Sequence, residues 1–175
     1  MSPNTNPSRL SEEQRERIPA LVEDLGSREG QRRQTARRAL AEMGKPVVDF
    51  LAELIEHPKH VYRWECLKTL VQIAEPNALD LFLLALEDED FDVRWLAAEG
   101  LIKLGPQSII PLIEHLLANV KKDVVRDAAH HVLRALRRRA KAKTQIDELL
   151  AVLHHSSSTG IVSTRACALL RRLKA

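Results

Sequence analysis

Aromatic side chains are scarce in this 175-residue chain, at 3% of the total, so the core has to be filled by Leu, Ala, Val and Ile. Such filling suits thin helices packed closely together. Cysteine is scarcer still, with only Cys66 and Cys167. They lie in different predicted repeats far apart along the chain, so no disulfide is expected, in keeping with a reducing cytoplasm. No apolar run is long enough to cross a bilayer. The opening Met1-Ser2-Pro3-Asn4-Thr5-Asn6-Pro7 lacks the charged-then-apolar order of a signal peptide. Also missing are a nucleophile motif, a Gly-rich phosphate loop and zinc-ligand spacing. These absences lead us to expect a soluble, cytoplasmic, monomeric chain with no catalytic residues, metal or cofactor and no membrane partner.

What the chain does have is a repeated arginine. Arg33, Arg63, Arg94 and Arg126 are separated by 30, 31 and 32 residues. Small or apolar residues follow each at matching offsets. In the clearest copy these are Ala97, Ala98, Leu101 and Leu104. A fixed period of this length signals stacked units, each too small to bury its own apolar face. Before each arginine lies a helical stripe with apolar residues three and four apart: Ile18, Leu21, Val22, Leu25; then Val48, Leu51, Leu54, Ile55; then Leu79, Phe82, Leu83, Leu86; then Ile109, Leu112, Ile113, Leu116; and finally Ile146, Leu149, Leu150, Leu153. Gly44-Lys45-Pro46, Glu75-Pro76-Asn77 and Gly105-Pro106-Gln107 punctuate the units. There Gly is expected to supply a left-handed C-cap and Pro to start the next helix. Ser11 reads as an N-cap, and residues 1–10 as a disordered tail. In the fifth unit Ser156-Ser157-Ser158-Thr159-Gly160 lengthens the turn, and Ser163 takes the arginine position.

Leu86-Glu87-Asp88-Glu89-Asp90-Phe91-Asp92-Val93-Arg94, with Ala97-Ala98 and Leu101 to Gly105, resembles a HEAT repeat. It is most similar to the short bacterial type named after phycobilisome lyases. The resemblance spans residues 11–175 as about five units. It implies a single all-α domain, a right-handed α-solenoid of stacked helix pairs whose second helices line a concave face. It implies no one activity.

On a helical wheel Val93, Ala97, Gly100, Leu101 and Leu104 form a buried stripe, and Trp95 lies almost opposite. Trp64 holds the equivalent place one repeat earlier. Two readings stand open: a shared aromatic platform for a protein segment, or rings folded over the groove between repeats as packing. Arg38, Lys68, Glu99, Asp127 and His131 flank these rings. Glu65, Glu99, Asp127 and His131 are expected to form a polar rim, with solvated salt bridges favoured over a metal or proton-transfer cluster.

Charge is uneven. Residues 75–99 hold eight acids and one base, whereas residues 120–175 hold thirteen Lys/Arg and four Asp/Glu. The basic run Arg134, Arg137, Arg138, Arg139 and Lys141 is a candidate anion or nucleic-acid patch, though it lacks interleaved aromatics for base stacking. The repeat arginines are expected to pair with acids in adjoining turns. Deoxyhypusine hydroxylases carry iron-binding His-Glu pairs just after the repeat arginine; here that slot holds Trp64-Glu65 and Trp95-Leu96. HEAT-like alkylpurine DNA glycosylases set a carboxylate one turn from a tryptophan, as Trp95 and Glu99 do, but the acids at 87–92 would repel phosphates. A bilin-lyase role has no pocket residues to mark it. The expectation is therefore a non-enzymatic scaffold that binds an as yet unidentified protein partner. A nucleic-acid or base-repair module is the alternative.

Overall fold

The computed structural model describes residues 10–155 and 158–175. Among these it shows ten α-helices and no strand, so the all-α class stands. The expected tail up to Arg9 and Ser156-Ser157 of the lengthened turn lie outside the described residues. The chain divides into two compact units, one running up to Leu81 and one over Phe82–Ala175. In the first, α1 (Glu12–Leu25) packs on α2 (Gly30–Met43), and α2 and α3 (Val48–Ala52) pack on α4 (His60–Ile73). Helix α5 (Leu79–Ala85) carries the boundary. In the second unit α6 (Phe91–Leu104) and α7 (Ile109–Ala118) pack on α8 (Asp123–Leu136), which meets α9 (Lys143–His155). Helix α10 (Thr159–Lys174) then packs on both α9 and α7.

Helix α1 starts at a full capping box. Ser11 Oγ accepts from Gln14 N–H at 3.1 Å, and Ser11 N–H donates back to Gln14 Oε1 at 2.9 Å. The second helices start differently. Helices α2, α4, α6 and α8 are each 14 residues long, and the N-caps Glu29, Lys59, Asp90 and Lys122 make no side-chain cap bond. In each, the repeat arginine is the fourth residue. Its Nη1 donates to the carbonyl six residues back: Arg33 to Ser27 (2.8 Å), Arg63 to His57 (2.9 Å), Arg94 to Asp88 (2.8 Å) and Arg126 to Val120 (2.7 Å). Arg33 and Arg94 also reach the next carbonyl, of Arg28 at 3.2 Å and Glu89 at 2.8 Å. These turn carbonyls have no helix ladder to satisfy them, so a guanidinium fork latches the turn to the helix that follows. Pairing with acids adds to these backbone bonds. Arg33 adds Glu65 and Arg126 adds Asp123.

Pro46, Pro76 and Pro106 sit in short 3₁₀ turns (Lys45–Val47, Pro76–Ala78 and Pro106–Ser108) that lead into α3, α5 and α7. The expected left-handed glycine caps take another form. Gly44 (φ 69°, ψ −144°) and Gly105 (φ 85°, ψ −155°) adopt a positive-φ extended geometry that a Cβ disfavours. The left-handed helical cap falls instead on Ala74 (φ 55°, ψ 36°). The stripe from Val48 outlasts its helix: Leu54 and Ile55 are buried, but they follow α3 in i→i−3 bonds to Leu51 and Ala52. Cys66 is buried with Sγ 3.2 Å from the Leu51 carbonyl oxygen, and burial pushes its thiol well above the ordinary value. Cys167 is exposed.

Val93, Ala97, Gly100 and Leu101 are buried as the wheel requires, while Leu104 is half-buried. Gly100 is buried because the fully buried Phe82 ring lies where its Cβ would be. Gly100→Ala gains about 1 kcal/mol of helix propensity but overpacks a closed core at about 1–3 kcal/mol. We expect the urea midpoint to fall. Arg94→Ala removes two charge-assisted backbone bonds and is expected to lower unfolding free energy by about 2 kcal/mol in the same titration.

Candidate functional site

The outward positions of the second helices differ in chemistry from one helix to the next. In the first unit Trp64, on α4, is half-buried. The Lys68 ammonium, one turn later, lies 3.8 Å from its ring centroid, and the His60 imidazole stacks at 6.4 Å with an 18° tilt. Lys68 Nζ also lies 3.6 Å from Glu65 Oε1. Burial holds the Lys68 pKa below its ordinary value, against the pull of the Glu65 carboxylate.

Glu65 does not join a solvated rim. Its side chain is only 2% exposed, with Oε1 taking Arg33 Nε at 3.2 Å and Oε2 taking Arg37 Nη1 at 2.5 Å. Two arginines of α2 draw it inward, so it serves as the buried counter-ion between α2 and α4. Three cations share this one carboxylate, and Arg37 Nε is left buried with no acceptor among the described residues. Arg38 is exposed on α2.

The second unit presents a different surface. Trp95 is 46% exposed, and Phe91, one turn earlier on α6, is 69% exposed. Their ring centroids are 6.3 Å apart. Across from them on α8, the His131 ring lies 4.5 Å from that of Trp95 with a 39° tilt. His131 Nε2 is 2.9 Å from Glu99 Oε1, which fixes the imidazole against the indole. Asp127 is exposed one turn before His131. Together Phe91, Arg94, Trp95, Asp127 and His131 wall a groove of about 160 Å³ lined also by Ala98, Val124 and Ala128. The lining offers aromatic faces, a carboxylate, an imidazole and a guanidinium, with no hydroxyl, thiol or amine to act as a nucleophile.

The structure thus brings Trp95, Glu99, Asp127 and His131 together in one unit, and Trp64 and Lys68 together in the other. Phe91 was missed at the sequence level, although its i,i+4 spacing to Trp95 was the available signal. In the basic run Arg134, Arg138, Arg139 and Lys141 are exposed. Arg137 is engaged by both carboxylate oxygens of Asp147, Oδ2 at 2.5 Å. That pairing raises the Arg137 pKa and lowers that of Asp147.

Helix pairs joined by latched turns define an all-α helical-repeat protein. The pattern of HEAT repeats matches residues 79–171, more than half of the chain, and the chain belongs to that family. Comparison with curated proteins gave no match. HEAT repeats commonly serve as protein-interaction scaffolds. No described helix is long and apolar enough to cross a membrane.

The two glutamates separate cleanly by burial. Glu65→Gln strips the buried counter-ion from two half-buried arginines and is expected to cost about 3 kcal/mol. Glu99→Gln, half-exposed and paired among the described residues with His131, should stay within about 0.5 kcal/mol. Denaturant titration of the two variants side by side checks both values.

Proposed function

We propose that this protein is a non-catalytic scaffold that docks a segment of another protein on the outward face of its second helices, with Trp95 as the main anchor. The observation that supports it is the exposure of Trp95 and Phe91 beside a groove floored by small side chains. Large exposed aromatics next to a pocket are the usual seats of binding energy in protein interfaces. In the first unit Trp64 is a separate, lesser anchor, more buried and already covered by Lys68. Glu99, Asp127 and His131 frame the Trp95 site, and Arg38 and Lys68 flank the corresponding positions on α2 and α4. The exposed cations Arg134, Arg138, Arg139 and Lys141 favour the competing nucleic-acid reading.

Affinity capture from the source cell, with nuclease treatment, tests the proposal. Native chain is compared with Trp95→Ala and with Trp64→Ala/Trp95→Ala. A protein retained by native chain and lost with Trp95→Ala is the expected result. Capture unaffected by either variant removes the aromatic anchor. Capture abolished for all samples by nuclease transfers the function to the basic run.

A further inference from the structure

We infer that Trp95 is a receptor for a partner's arginine, so that the docked segment is basic. This rests on the scaffold reading above and names the chemistry of the segment. Trp64 and Trp95 are each the fifth residue of a 14-residue helix, and the residue one turn later decides what covers each ring. After Trp64 that residue is Lys68, whose ammonium sits 3.8 Å from the ring centroid. The chain supplies its own cation there. After Trp95 the same position holds Glu99, an acid; among the described residues no Lys or Arg covers the indole in this way, and the ring beside it is that of His131, at 4.5 Å with a 39° tilt. The nearest base in sequence, Arg94, is held by the Asp88 and Glu89 carbonyls and leans over Phe91 at 5.9 Å.

The surroundings of Trp95 suit a guanidinium. Its negative π-face attracts cations, and a planar guanidinium can stack on it while binding a carboxylate through its fork. Asp127, exposed on the groove wall, is such a carboxylate. Glu99 adds negative charge and, through His131, holds the indole in place. An aromatic face with two carboxylates beside it is the complement of an arginine side chain rather than of an apolar helix, which would leave Asp127 and Glu99 desolvated.

The test uses the full chain labelled with ¹⁵N. Two tryptophans give two indole N–H resonances, assigned with Trp64→Phe. The probe is a short uncharged-capped peptide of glycines with two arginines, set against its citrulline counterpart, which keeps the shape and loses the charge. The arginine peptide is expected to shift the Trp95 resonance saturably, with the citrulline peptide about tenfold weaker. Asp127→Asn should weaken binding about fivefold. Glu99→Lys should abolish it by covering Trp95 as Lys68 covers Trp64. Circular dichroism confirms that both variants remain folded.

Equal binding of the two peptides would overturn the inference, because the groove would then read shape rather than charge. So would a response at Trp64 alone. A Trp95 shift that grows with protein concentration in the absence of peptide would reassign the site to a second copy of the chain. A larger Trp95 shift with a duplex bearing a methylated purine would reassign it to nucleic acid. If neither peptide moves either indole while capture still depends on Trp95, the arginine inference fails and the scaffold reading stands.

Discussion

Four of the second helices, α2, α4, α6 and α8, depend on a guanidinium that reaches back six residues to a turn carbonyl. The helices that use it begin at Glu29, Lys59, Asp90 and Lys122, none of which caps its helix through a side chain. Something else has to fix where the turn ends and the helix begins. An arginine at the fourth position does so by satisfying a carbonyl that no ladder reaches, at 2.7 to 2.9 Å in all four copies. Fixing the start of the helix also fixes its rotation. The fifth and ninth residues then face outward in every copy: Gln34 and Arg38, Trp64 and Lys68, Trp95 and Glu99, Asp127 and His131. The candidate site consists of such positions, with Phe91 added, so the latch that shapes the fold also sets the site's geometry.

The period of the arginines and the buried stripe of α6 were legible in the residue letters. Periodicity and apolarity are properties of side chains in order, and Val93, Ala97, Gly100 and Leu101 display both. The partner of the arginine was not legible, because a backbone carbonyl belongs to every residue and leaves no mark in the sequence. Glu65 misled for a related reason. A wheel drawn on α4 alone turns it toward solvent, but Arg33 and Arg37 on the neighbouring helix draw it inward to 2% exposure. Ala74 shows a third limit. The left-handed cap expected of glycine fell on an alanine, whose N–H closes the end of α4 on the Leu70 carbonyl, and no residue letter marks that conformation. Residues 10–78 lie outside the matched HEAT pattern, yet they carry the same latch on α2 and α4. The physical repeat therefore extends further along the chain than the pattern match.

The candidate site was half legible. Trp95, Glu99, Asp127 and His131 were chosen from helical spacing, and α6 and α8 bring them together around one groove. What spacing did not reveal is how differently the two tryptophans are treated. They are equivalent in register, and their surroundings oppose each other in charge. A family that conserves architecture without conserving function must place its specificity at outward positions of this kind.

Lys68 shows why the two rings are not interchangeable as places to bind. Its ammonium contacts the Trp64 ring and also faces the buried carboxylate that anchors α2 to α4. Removing it to expose Trp64 would disturb a buried charge cluster, where an unbalanced ion is costly. Glu99 carries no such duty. It is half-exposed, its partner His131 is half-exposed, and substitutions at such positions rarely move stability by more than about 0.5 kcal/mol. The chemistry around Trp95 can therefore change while the latch and the core stay as they are. In the first unit the ring's covering residue is bound into the fold; in the second it is not.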